Sequence, residues 1–484
     1  MRNRLAIALT SALLALAAAG CTAFDFFGFE DNAPLHVIER PDGYNSTMFG
    51  SDIAPTTSVF EGDQVDLMGV SAGRGTPTVF YRLAAGGKLV DVEDPWRDHL
   101  LDNKTQAKLD GSGASLVGLP RWDRGDGEYR HGCVAIGEPE VADEHGRVTI
   151  HCEDDQLSYL EIMSSMSGIA DDDQRHWFGH EMAAVRPVAG ENWLLAVATT
   201  RVAVLFSTEV DHSAIAVPSF GSGEFLGEIE EIAAGRFGDG RIFVATTTVD
   251  ASEVYRMHLF TQPSPGSAEL DQVACVNRTG EAGFAGQMLA ADLDGDGNDE
   301  LLASAKHIPD RVEKVYVYDV IELADAGPTC NSDAPEPLVA IEPGDGPLNV
   351  KCEENCDFGT ALAVGDIATD DDGPEVIVGA PGARVDGKGG AGAVFVYRGA
   401  ELMAGGPVEV AGRVAHSSPS SAQRFGGGVA VAPMAGRNEV IIGMTGDGKL
   451  AIAFCTQVGE DIEKGADVTA NASGTVVSTR CRPK

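Results

Sequence analysis

The sequence predicts an all-β protein built from a repeated unit. Short apolar runs rich in Val, Ile, Leu and Ala recur along nearly the whole chain of 484 residues. Glycine is abundant (59 residues) and aromatic residues make up only 6% of the chain, a composition that suits many short strands joined by tight turns. Because self-similarity along a chain is the signature of repeat architectures, we expect one large repetitive β domain.

Four units show the repeat most clearly, and each opens with Phe-Gly or a variant of it. The openings are Phe178, Phe284, Phe358 and Phe425. Three strand-like runs follow each opening; after Phe358 they are 361–364, 375–378 and 393–397. Three more degenerate units are predicted at 65–92, 116–150 and 232–257. About seven units result, at a spacing of roughly 50–70 residues, which exceeds the ~40–50 residues of simpler β repeats.

An acidic loop lies between the first two runs of the unit that opens at Phe284. Acidic side chains occupy its positions 1, 3, 5 and 9, and glycine occupies position 6. A hard cation such as Ca²⁺ takes about six to eight oxygen ligands, and a glycine lets the loop turn back around the ion. The predicted ligands are the side chains of Asp292, Asp294, Asp296 and Glu300 and the backbone carbonyl of Asn298.

A second candidate loop follows in the unit that opens at Phe358. Its predicted ligands are Asp366, Asp370, Asp372 and Glu375. This loop is one residue longer, and Ala368 replaces the acid at position 3, so a water would complete the shell. In three other units Arg186, Arg236 or Pro433 stands near the first ligand position, and Arg236 is expected to neutralise its own turn. The alternative for both loops is a solvated acidic turn without metal.

The unit from Phe358 to Tyr397 combines Phe-Gly, an acidic loop and Gly379-Ala380-Pro381 after its second run. This pattern resembles the FG-GAP repeat of the integrin α-chain β-propeller. Unit 284–318 matches through its loop but lacks Gly-Ala-Pro, and the other units match in strand pattern alone. The resemblance implies an all-β, seven-bladed β-propeller of four-stranded antiparallel blades, in which each sheet buries both faces against its neighbours.

The same resemblance implies the places of metal and partner. In this family a structural ion lies in the turn between the first and second strands of a blade. Partners usually bind loops on the opposite face, between second and third strands. Here those loops are 306–311 and 384–388, which carry basic residues in an acidic chain. Ordinary exposed loops are the alternative.

The N-terminus has the features of an export signal. Arg2 and Arg4 precede an apolar stretch that ends in small residues directly before Cys21. Residues 1–20 resemble a bacterial lipoprotein signal, after which Cys21 would be lipidated and would anchor the protein to the membrane. Thr22 favours the outer membrane, and an ordinary signal peptide is the alternative. The predicted organisation is then a tether with a possible closing strand (21–58), the propeller (59–460) and a C-terminal strand that closes the last blade (461–484).

Eight cysteines remain besides Cys21, an even number that fits an oxidising compartment. Proximity in the sequence favours pairing Cys133 with Cys152, Cys275 with Cys330, Cys352 with Cys356, and Cys455 with Cys481. In the propeller frame the last pair would anchor 475–478 as the outer strand of blade seven. A zinc site is the alternative, although no Cys/His cluster has zinc-finger spacing.

The charge of the chain limits its partners. With 35 basic and 74 acidic residues the net charge is −39, which argues against nucleic acid and against direct adsorption to anionic lipid. The sequence displays no convincing cluster of catalytic acid, base or nucleophile. We therefore expect a non-enzymatic, lipid-anchored and calcium-stabilised module that binds a protein or glycan ligand. The alternatives are a propeller enzyme acting on envelope glycans or phosphoesters, and a pure scaffold of an envelope complex.

Overall fold

A computed structural model describes the chain from residue 35 to residue 483, with gaps. The described residues are 35–39, 48–55, 66–71, 78–84, 88–91, 115–123, 129–139, 146–153, 159–163, 177–185, 193–199, 203–207, 214–216, 228–250, 252–267, 269–278, 281–307, 313–331, 335–343, 350–352, 355–367, 373–405, 408–416, 418–434, 437–453, 462–470 and 476–483. The predicted signal peptide, Cys21 and Cys455 lie outside the described residues. Within them, no helix is long and apolar enough to cross a membrane.

The described chain is mainly β-strand, in small and mostly antiparallel sheets that form a propeller-like ring. The first strand is β1 (Leu35–Glu39). Sheet A holds β2 (Ile53–Pro55), β3 (Asp66–Val70), β4 (Val79–Ala84) and β5 (Lys88–Asp91). Sheet B holds β6 (Leu116–Asp123), β7 (Tyr129–Glu138), β8 (Arg147–Glu153) and β9 (Tyr159–Met163). Sheet C holds β10 (Met182–Val185), β11 (Leu194–Ala198), β12 (Ala203–Ser207) and β13 (Ala214–Ala216).

Sheets D and E share a connection. Sheet D holds β14 (Glu228–Arg236), β15 (Ile242–Val249), β16 (Tyr255–Thr261) and β17 (Asp271–Val276). Sheet E holds β18 (Glu281–Ala282), β19 (Met288–Ala291), β20 (Glu300–His307) and β21 (Glu313–Tyr318), and then β23 (Val339–Ile341) after an insertion. The insertion contains α1 (Val320–Ala324) and β22 (Gly327–Asn331). β22 pairs in parallel with β17, so a segment of sheet E extends sheet D.

The last sheets complete the ring. Sheet F holds β24 (Ala361–Gly365), β25 (Glu375–Ala380), β26 (Ala393–Arg398) and, after α2 (Gly399–Met403), β27 (Gly412–Val414). Sheet G holds β28 (Phe425–Met434), β29 (Arg437–Met444) and β30 (Lys449–Ala453), with β1 as its fourth strand. The strands β31 (Ile462–Ala470) and β32 (Val476–Pro483) form a separate hairpin.

Neighbouring sheets contact one another in chain order. The first strand of each sheet makes the contact: β6 with β2, β10 with β6, β14 with β10, β19 with β14, β24 with β19, and β28 with β24. β28 also contacts β2, so the last sheet returns to the first. These first strands therefore line the middle of the ring, as in radial β architectures.

A buried Phe, followed by a residue with positive φ, precedes or begins the first strand in five sheets. The Phe residues are Phe49, Phe178, Phe284, Phe358 and Phe425, each at most 2% exposed. The residues that follow them are Gly50, Gly179, Ala285, Gly359 and Gly426, with φ between 53° and 90°. Glycine enters this left-handed region without steric cost, which explains the preference for Phe-Gly.

The Phe-Gly turn is tied to its own sheet by a recurring hydrogen bond. The backbone N–H of Gly179 donates to Ala198 O at 3.0 Å, and that of Gly359 donates to Gly379 O at 2.9 Å. Gly50 donates in the same way to Ser71 O at 2.8 Å. In each case the acceptor follows or lies near the end of the second strand, so the turn fixes how the chain enters the first strand.

The opening of sheet A differs from the sequence-based prediction. The runs of unit 65–92 form β3, β4 and β5, the second to fourth strands, whereas the first strand is β2. Phe49-Gly50 opens this sheet, although the pair lies in the range 21–58 that was predicted to be a tether. Unit 65–92 supplies three runs, as a complete repeat of the sequence pattern would, and the short β2 is inconspicuous beside them.

β1 closes sheet G. It pairs antiparallel with β30 along its length, from Leu35 opposite Ala453 to Glu39 opposite Lys449. The C-terminal segment 461–484 does not take this place, because β31 and β32 pair with each other. Both segments contain short strand-like runs, and local propensity does not distinguish which one reaches the open edge of β30.

Apolar clusters fill the spaces between neighbouring sheets. One cluster between sheets D and E contains Phe243, Leu259, Phe284 and Leu301, all at most 1% exposed. The second strands β11 and β25 are buried along their entire length. A strand that packs against sheets on both faces reads as a continuous apolar run rather than an alternating one. This explains why the second run of each unit was easy to recognise in the sequence.

Glycines in second strands admit the Phe-Gly turn of the next sheet. A Cβ on Gly443 of β29 would collide with Gly50 O, and a Cβ on Gly379 of β25 would collide with Gly426 O.

We expect Gly443→Ala to destabilise the ring by about 1–3 kcal/mol, because the added methyl overpacks the joint between sheets G and A. Gly389→Ala is the control, since no atom lies within 4 Å of its added Cβ. Urea unfolding measures both variants, and equal stabilities would contradict this role of Gly443.

The buried imidazole of His151 predicts an acid-sensitive stability. Burial, and to a smaller extent the Arg147 charge, lowers the pKa of His151 from 6.5 to about 4. The unfolded chain binds this proton at a higher pH than the folded chain does, so stability is lost as the pH falls from about 6.5 to about 4. We expect His151→Gln to remove up to about 3 kcal/mol of this loss in urea unfolding at several pH values. His416→Gln, at a partly exposed position, should keep the loss. Burial also lowers the pKa of His258 to about 4, so His151→Gln should retain the part of the loss that His258 contributes. An undiminished loss in His151→Gln would contradict the assignment.

Candidate metal centre

The acidic loop joins β19 to β20 and is shaped by its own carboxylates. Asp292 Oδ1 accepts a hydrogen bond from Gly295 N at 2.7 Å, and Asp292 Oδ2 accepts one from Gly297 N at 3.1 Å. Asp294 Oδ1 accepts from Asp296 N at 3.1 Å. Gly295 and Gly297 have φ of 77° and 92°, which side chains disfavour. Asp and Gly at these spacings therefore wind the chain around a small acidic concavity.

Three of the predicted ligands converge in this concavity. One carboxylate oxygen each from Asp292, Asp294 and Glu300 lie within 4.8 Å of one another. Ca²⁺ holds oxygen ligands at about 2.3–2.6 Å, so oxygens on opposite sides of one ion are separated by about 5 Å. The three carboxylates therefore fit the shell of a single calcium ion, with backbone carbonyls and water available to complete it.

Glu300 is the most perturbed acid of the loop. It is 4% exposed, and its Oε2 accepts a hydrogen bond from Leu293 N at 2.8 Å. Burial first, and then the charges of Asp294, Asp296 and Asp292, raise the pKa of Glu300 to about 8 against the lowering effect of that hydrogen bond. A bound cation would offset this crowding, because an opposite charge within a few ångström favours the ionised form.

The structure places Asp296 and Asn298 differently from the three converging carboxylates. Asp296 Oδ1 accepts hydrogen bonds from Asn298 N at 2.7 Å and from Asn298 Nδ2 at 2.9 Å. Asn298 Oδ1 accepts from Gly238 N, in the neighbouring turn of sheet D, at 2.9 Å. These two residues thus hold the end of the loop against the adjacent sheet.

The loop is a joint between three sheets. On the side of sheet D, Asp299 N donates to Arg236 O at 2.9 Å, and Asp299 Oδ2 accepts from Arg236 N at 2.8 Å. On the side of sheet F, Leu293 is fully buried in a cluster with Val376 and Tyr397. Sequence reasoning missed both contacts, because Asp299 and Leu293 lie between the predicted ligands and their partners are remote in the chain.

Arg236 acts on the neighbouring loop rather than on its own turn. Its Nε lies 3.9 Å from Asp299 Oδ1, and its charge lowers the pKa of Asp299, which burial nevertheless raises to about 6. In its own turn, between β14 and β15, Arg241 Nε pairs with Asp239 Oδ2 at 2.7 Å. The expectation that Arg236 neutralises its own turn is therefore wrong, because Arg241 is the residue that pairs with the carboxylate of that turn.

The second candidate loop repeats part of this geometry. Glu375 Oε2 accepts a hydrogen bond from Ile367 N at 2.8 Å, as Glu300 does from Leu293 N. Ile367 is fully buried and Glu375 is 1% exposed, whereas Asp366 is exposed. Asp370 and Asp372 lie outside the described residues. In both loops, the final glutamate therefore accepts a hydrogen bond from the backbone N–H of the second loop residue.

Two of the cysteine pairs that proximity in the sequence favours are disulfide bonds in the structure. Cys275 in β17 bonds to Cys330 in β22, and Cys352 bonds to Cys356. Cys133 is also disulfide-bonded, and Cys152 lies directly opposite it in the β7–β8 ladder. The first of these bonds fixes the inserted strand β22 to the edge of sheet D.

Parts of the predicted partner-binding loops form regular backbone pairs, whereas residues 308–311 lie outside the described residues. Lys306 and His307 are the last residues of β20, where they pair with β18. Arg384 exchanges two backbone hydrogen bonds with Lys351, at 2.9 and 3.0 Å, and Val385 pairs with Lys388. Three exposed basic side chains therefore share one double turn of the chain; they are Lys351, Arg384 and Lys388.

A second group of carboxylates lies near the middle of the ring. Asp52 Oδ2 accepts from Leu116 N at 2.6 Å, and Glu231 Oε2 accepts from Gln287 Nε2 at 2.6 Å. Burial raises the pKa of Asp52 to about 6. Burial, and then the charges of Asp52 and Glu230, hold the pKa of Glu231 well above its usual range. Because sheets A and D are not neighbours, their charges interact across the ring, which no local sequence motif signals.

Comparison with protein-family models and with curated proteins finds no match. The strand pairing shows a propeller-like ring of small, mostly antiparallel sheets. A function for this ring must therefore be inferred from its own residues.

Calcium binding tests the acidic loop directly. We expect Ca²⁺ titrated into chelator-stripped protein to bind saturably, with a Kd of ~10⁻⁴ M or weaker, and to raise the melting temperature. At 100 times the Kd the ion would stabilise the fold by about 2.7 kcal/mol. Asp294→Ala should lose the part of this heat and of this shift that comes from the β19–β20 loop, because it removes one of the three converging carboxylates. Asp239→Ala is the control, because Arg241 already pairs with its carboxylate. Absence of binding at millimolar Ca²⁺ would contradict the site.

Proposed function

We propose that the ring is a seven-bladed β-propeller of the FG-GAP type that binds structural Ca²⁺ and works as a non-enzymatic binding or adhesion module. In this proposal the chain is exported, a lipid on Cys21 anchors it to the membrane, most simply the outer membrane, and the propeller engages a protein or glycan ligand. The count of seven blades takes each of sheets A to G as one blade.

The position of the acidic loop supports a structural ion. Leu293 and Asp299 connect the loop to both adjacent sheets, so an ion among Asp292, Asp294 and Glu300 would strengthen a joint of the ring. A catalytic metal keeps an open position for substrate, whereas a cage wrapped by its own loop leaves little room for one. This arrangement is the observation that carries the proposal.

The double turn of Lys351, Arg384 and Lys388 is the surface that we assign to the ligand. It follows the second strand of sheet F, whereas the acidic loops precede second strands, so the two features lie at opposite ends of the sheets. Three exposed cations on a chain of net charge −39 favour an anionic partner, such as an acidic glycan or an acidic protein surface.

A propeller enzyme acting on envelope glycans or phosphoesters is the second candidate. Asp52 and Glu231 favour it, because buried carboxylates with raised pKa values are typical of acid–base sites. Each also has a structural explanation: Asp52 binds Leu116 N of sheet B, and Glu231 binds Gln287 of sheet E. These bonds join neighbouring sheets, so we rank the binding module first.

Ligand screening separates the two functions. We expect the Ca²⁺-loaded protein to bind members of an array of anionic glycans and envelope proteins without turning them over. Arg384→Gln with Lys388→Gln should weaken binding about tenfold, or about 1.4 kcal/mol. Arg241→Gln, in a β14–β15 turn at the other end of the sheets, is the matched control and should bind normally.

The contrary result is turnover on a panel of glycosidase and phosphoesterase substrates that disappears in Asp52→Asn or Glu231→Gln. That outcome would replace the binding module by the enzyme. Absence of any ligand, together with co-purification of stable envelope proteins, would favour the pure scaffold.

A further inference from the structure

A histidine faces the disulfide at the outer edge of sheet D. His258 in β16 lies directly opposite Cys275 in β17, and Cys275 is bonded to Cys330 in β22. One ring nitrogen of His258 and the two sulfur atoms all lie within 4.8 Å of one another. Cys275 is 2% exposed and His258 is fully buried, whereas Cys330 is half-buried on the added edge strand. Three residues with metal-binding side chains therefore meet at a site that the acidic loops do not include.

The hydrogen bonds of His258 determine which of its ring nitrogens is unprotonated. Nε2 lies 3.0 Å from Thr248 Oγ1, on β15, and Nδ1 lies 3.3 Å from Gln272 Nε2, on β17. Since the Gln272 amide nitrogen only donates, Nδ1 is the acceptor and Nε2 carries the proton that is donated to Thr248. The unprotonated Nδ1 accepts this bond from β17, the strand that also holds Cys275, and a metal ion would take the Nδ1 lone pair in place of the Gln272 hydrogen bond. Metal-bound histidines are typically oriented in this way, by a hydrogen bond from the other ring nitrogen.

We propose that reduction of the Cys275–Cys330 disulfide converts this cluster into a Cys₂His site for a thiophilic divalent metal such as Zn²⁺. A dithiol reductant supplies two electrons and two protons, becomes a disulfide itself, and leaves two thiols in the protein. Metal binding then displaces one proton from each thiol, which gives two thiolates and one neutral imidazole as ligands. Water occupies the fourth position of a tetrahedral shell.

The structure allows the movement that this conversion needs. Tetrahedral Zn²⁺ with Zn–S bonds of about 2.3 Å sets the two sulfurs about 3.8 Å apart, so they must separate once their bond is broken. Cys330 belongs to β22, which contacts sheet D only at its edge and has an irregular register with β17. The half-buried Cys330 is also the sulfur that an external thiolate reaches, whereas Cys275 and His258 remain in place within the sheet.

The second described disulfide provides an internal comparison. Cys352 and Cys356 are four residues apart, and among the described residues they belong to no such group with a histidine. Reduction of this bond releases two thiols without a nitrogen ligand nearby. We therefore expect the reduced Cys275–Cys330 pair to bind the metal more tightly than the reduced Cys352–Cys356 pair, because His258 lies beside the first pair.

Co²⁺ is the probe, because thiolate-bound tetrahedral Co²⁺ gives charge-transfer and intense d–d absorption. The protein carries Cys352→Ser with Cys356→Ser, is reduced with a phosphine that is then removed without air, and is titrated with Co²⁺ and afterwards with Zn²⁺. We expect tetrahedral Co²⁺ spectra only after reduction, with displacement by Zn²⁺. His258→Gln should weaken Co²⁺ binding at least about tenfold, and Cys330→Ser, on the edge strand, should remove the two-thiolate spectrum. His416→Gln is the matched control and should bind as the parent does.

Melting and far-UV circular dichroism establish that each variant is folded before titration. If His258→Gln does not fold, Cys330→Ser still decides the question, because it leaves the buried residues unchanged. Equal Co²⁺ binding by oxidised and reduced protein would overturn the proposal. So would full two-thiolate binding by reduced Cys330→Ser, which would place the metal on other cysteines, or unchanged affinity in folded His258→Gln.

Discussion

The close approach of backbone between neighbouring sheets is the constraint on which the rest of the structure depends. Gly443 and Gly379 lie in second strands where any side chain would collide with the Phe-Gly turn of the next sheet. The buried Phe before each turn fills the space that the approach encloses, and the glycine after it adopts the required positive φ. Gly50 makes this backbone contact between the last sheet and the first. The ring is therefore closed by the same kind of contact that joins sheets F and G.

At these joints, the turns between first and second strands contain carboxylates whose negative charge must be neutralised. In sheet D, Arg241 pairs with Asp239 of the same turn and neutralises its charge. Sheet E concentrates three carboxylates in one concavity and turns Asp299 toward Arg236 of the neighbour. A divalent cation would do for sheet E what a guanidinium group does for sheet D. Both solutions keep the turn compact enough to contact the adjacent sheet.

The outer edges of the sheets are treated differently from the joints near the middle. β1 covers the edge of sheet G, and β22 extends sheet D and is fixed there by the Cys275–Cys330 bond. Unpaired edge strands are templates for unwanted association, so covering them has a clear advantage. At the edge of sheet D, the Cys275–Cys330 disulfide also lies beside the buried imidazole of His258.

The all-β class, the repeated unit and the acidic loop follow from the sequence, because continuous apolar runs, Phe-Gly pairs and closely spaced acids are local patterns. Asp292, Asp294 and Glu300 were predicted together and meet in space, since one short loop holds all three. The sequence offered both the early segment 21–58 and the C-terminal segment as closing strands, and tertiary structure decided that β1 is the one that closes sheet G. Tertiary structure alone decided that Arg236 pairs with Asp299. It also decided that the charge of Asp52 raises the pKa of Glu231 and that His258 meets Cys275 and Cys330. These choices join segments remote in sequence, and their energies depend on which sheets become neighbours, which no local pattern encodes.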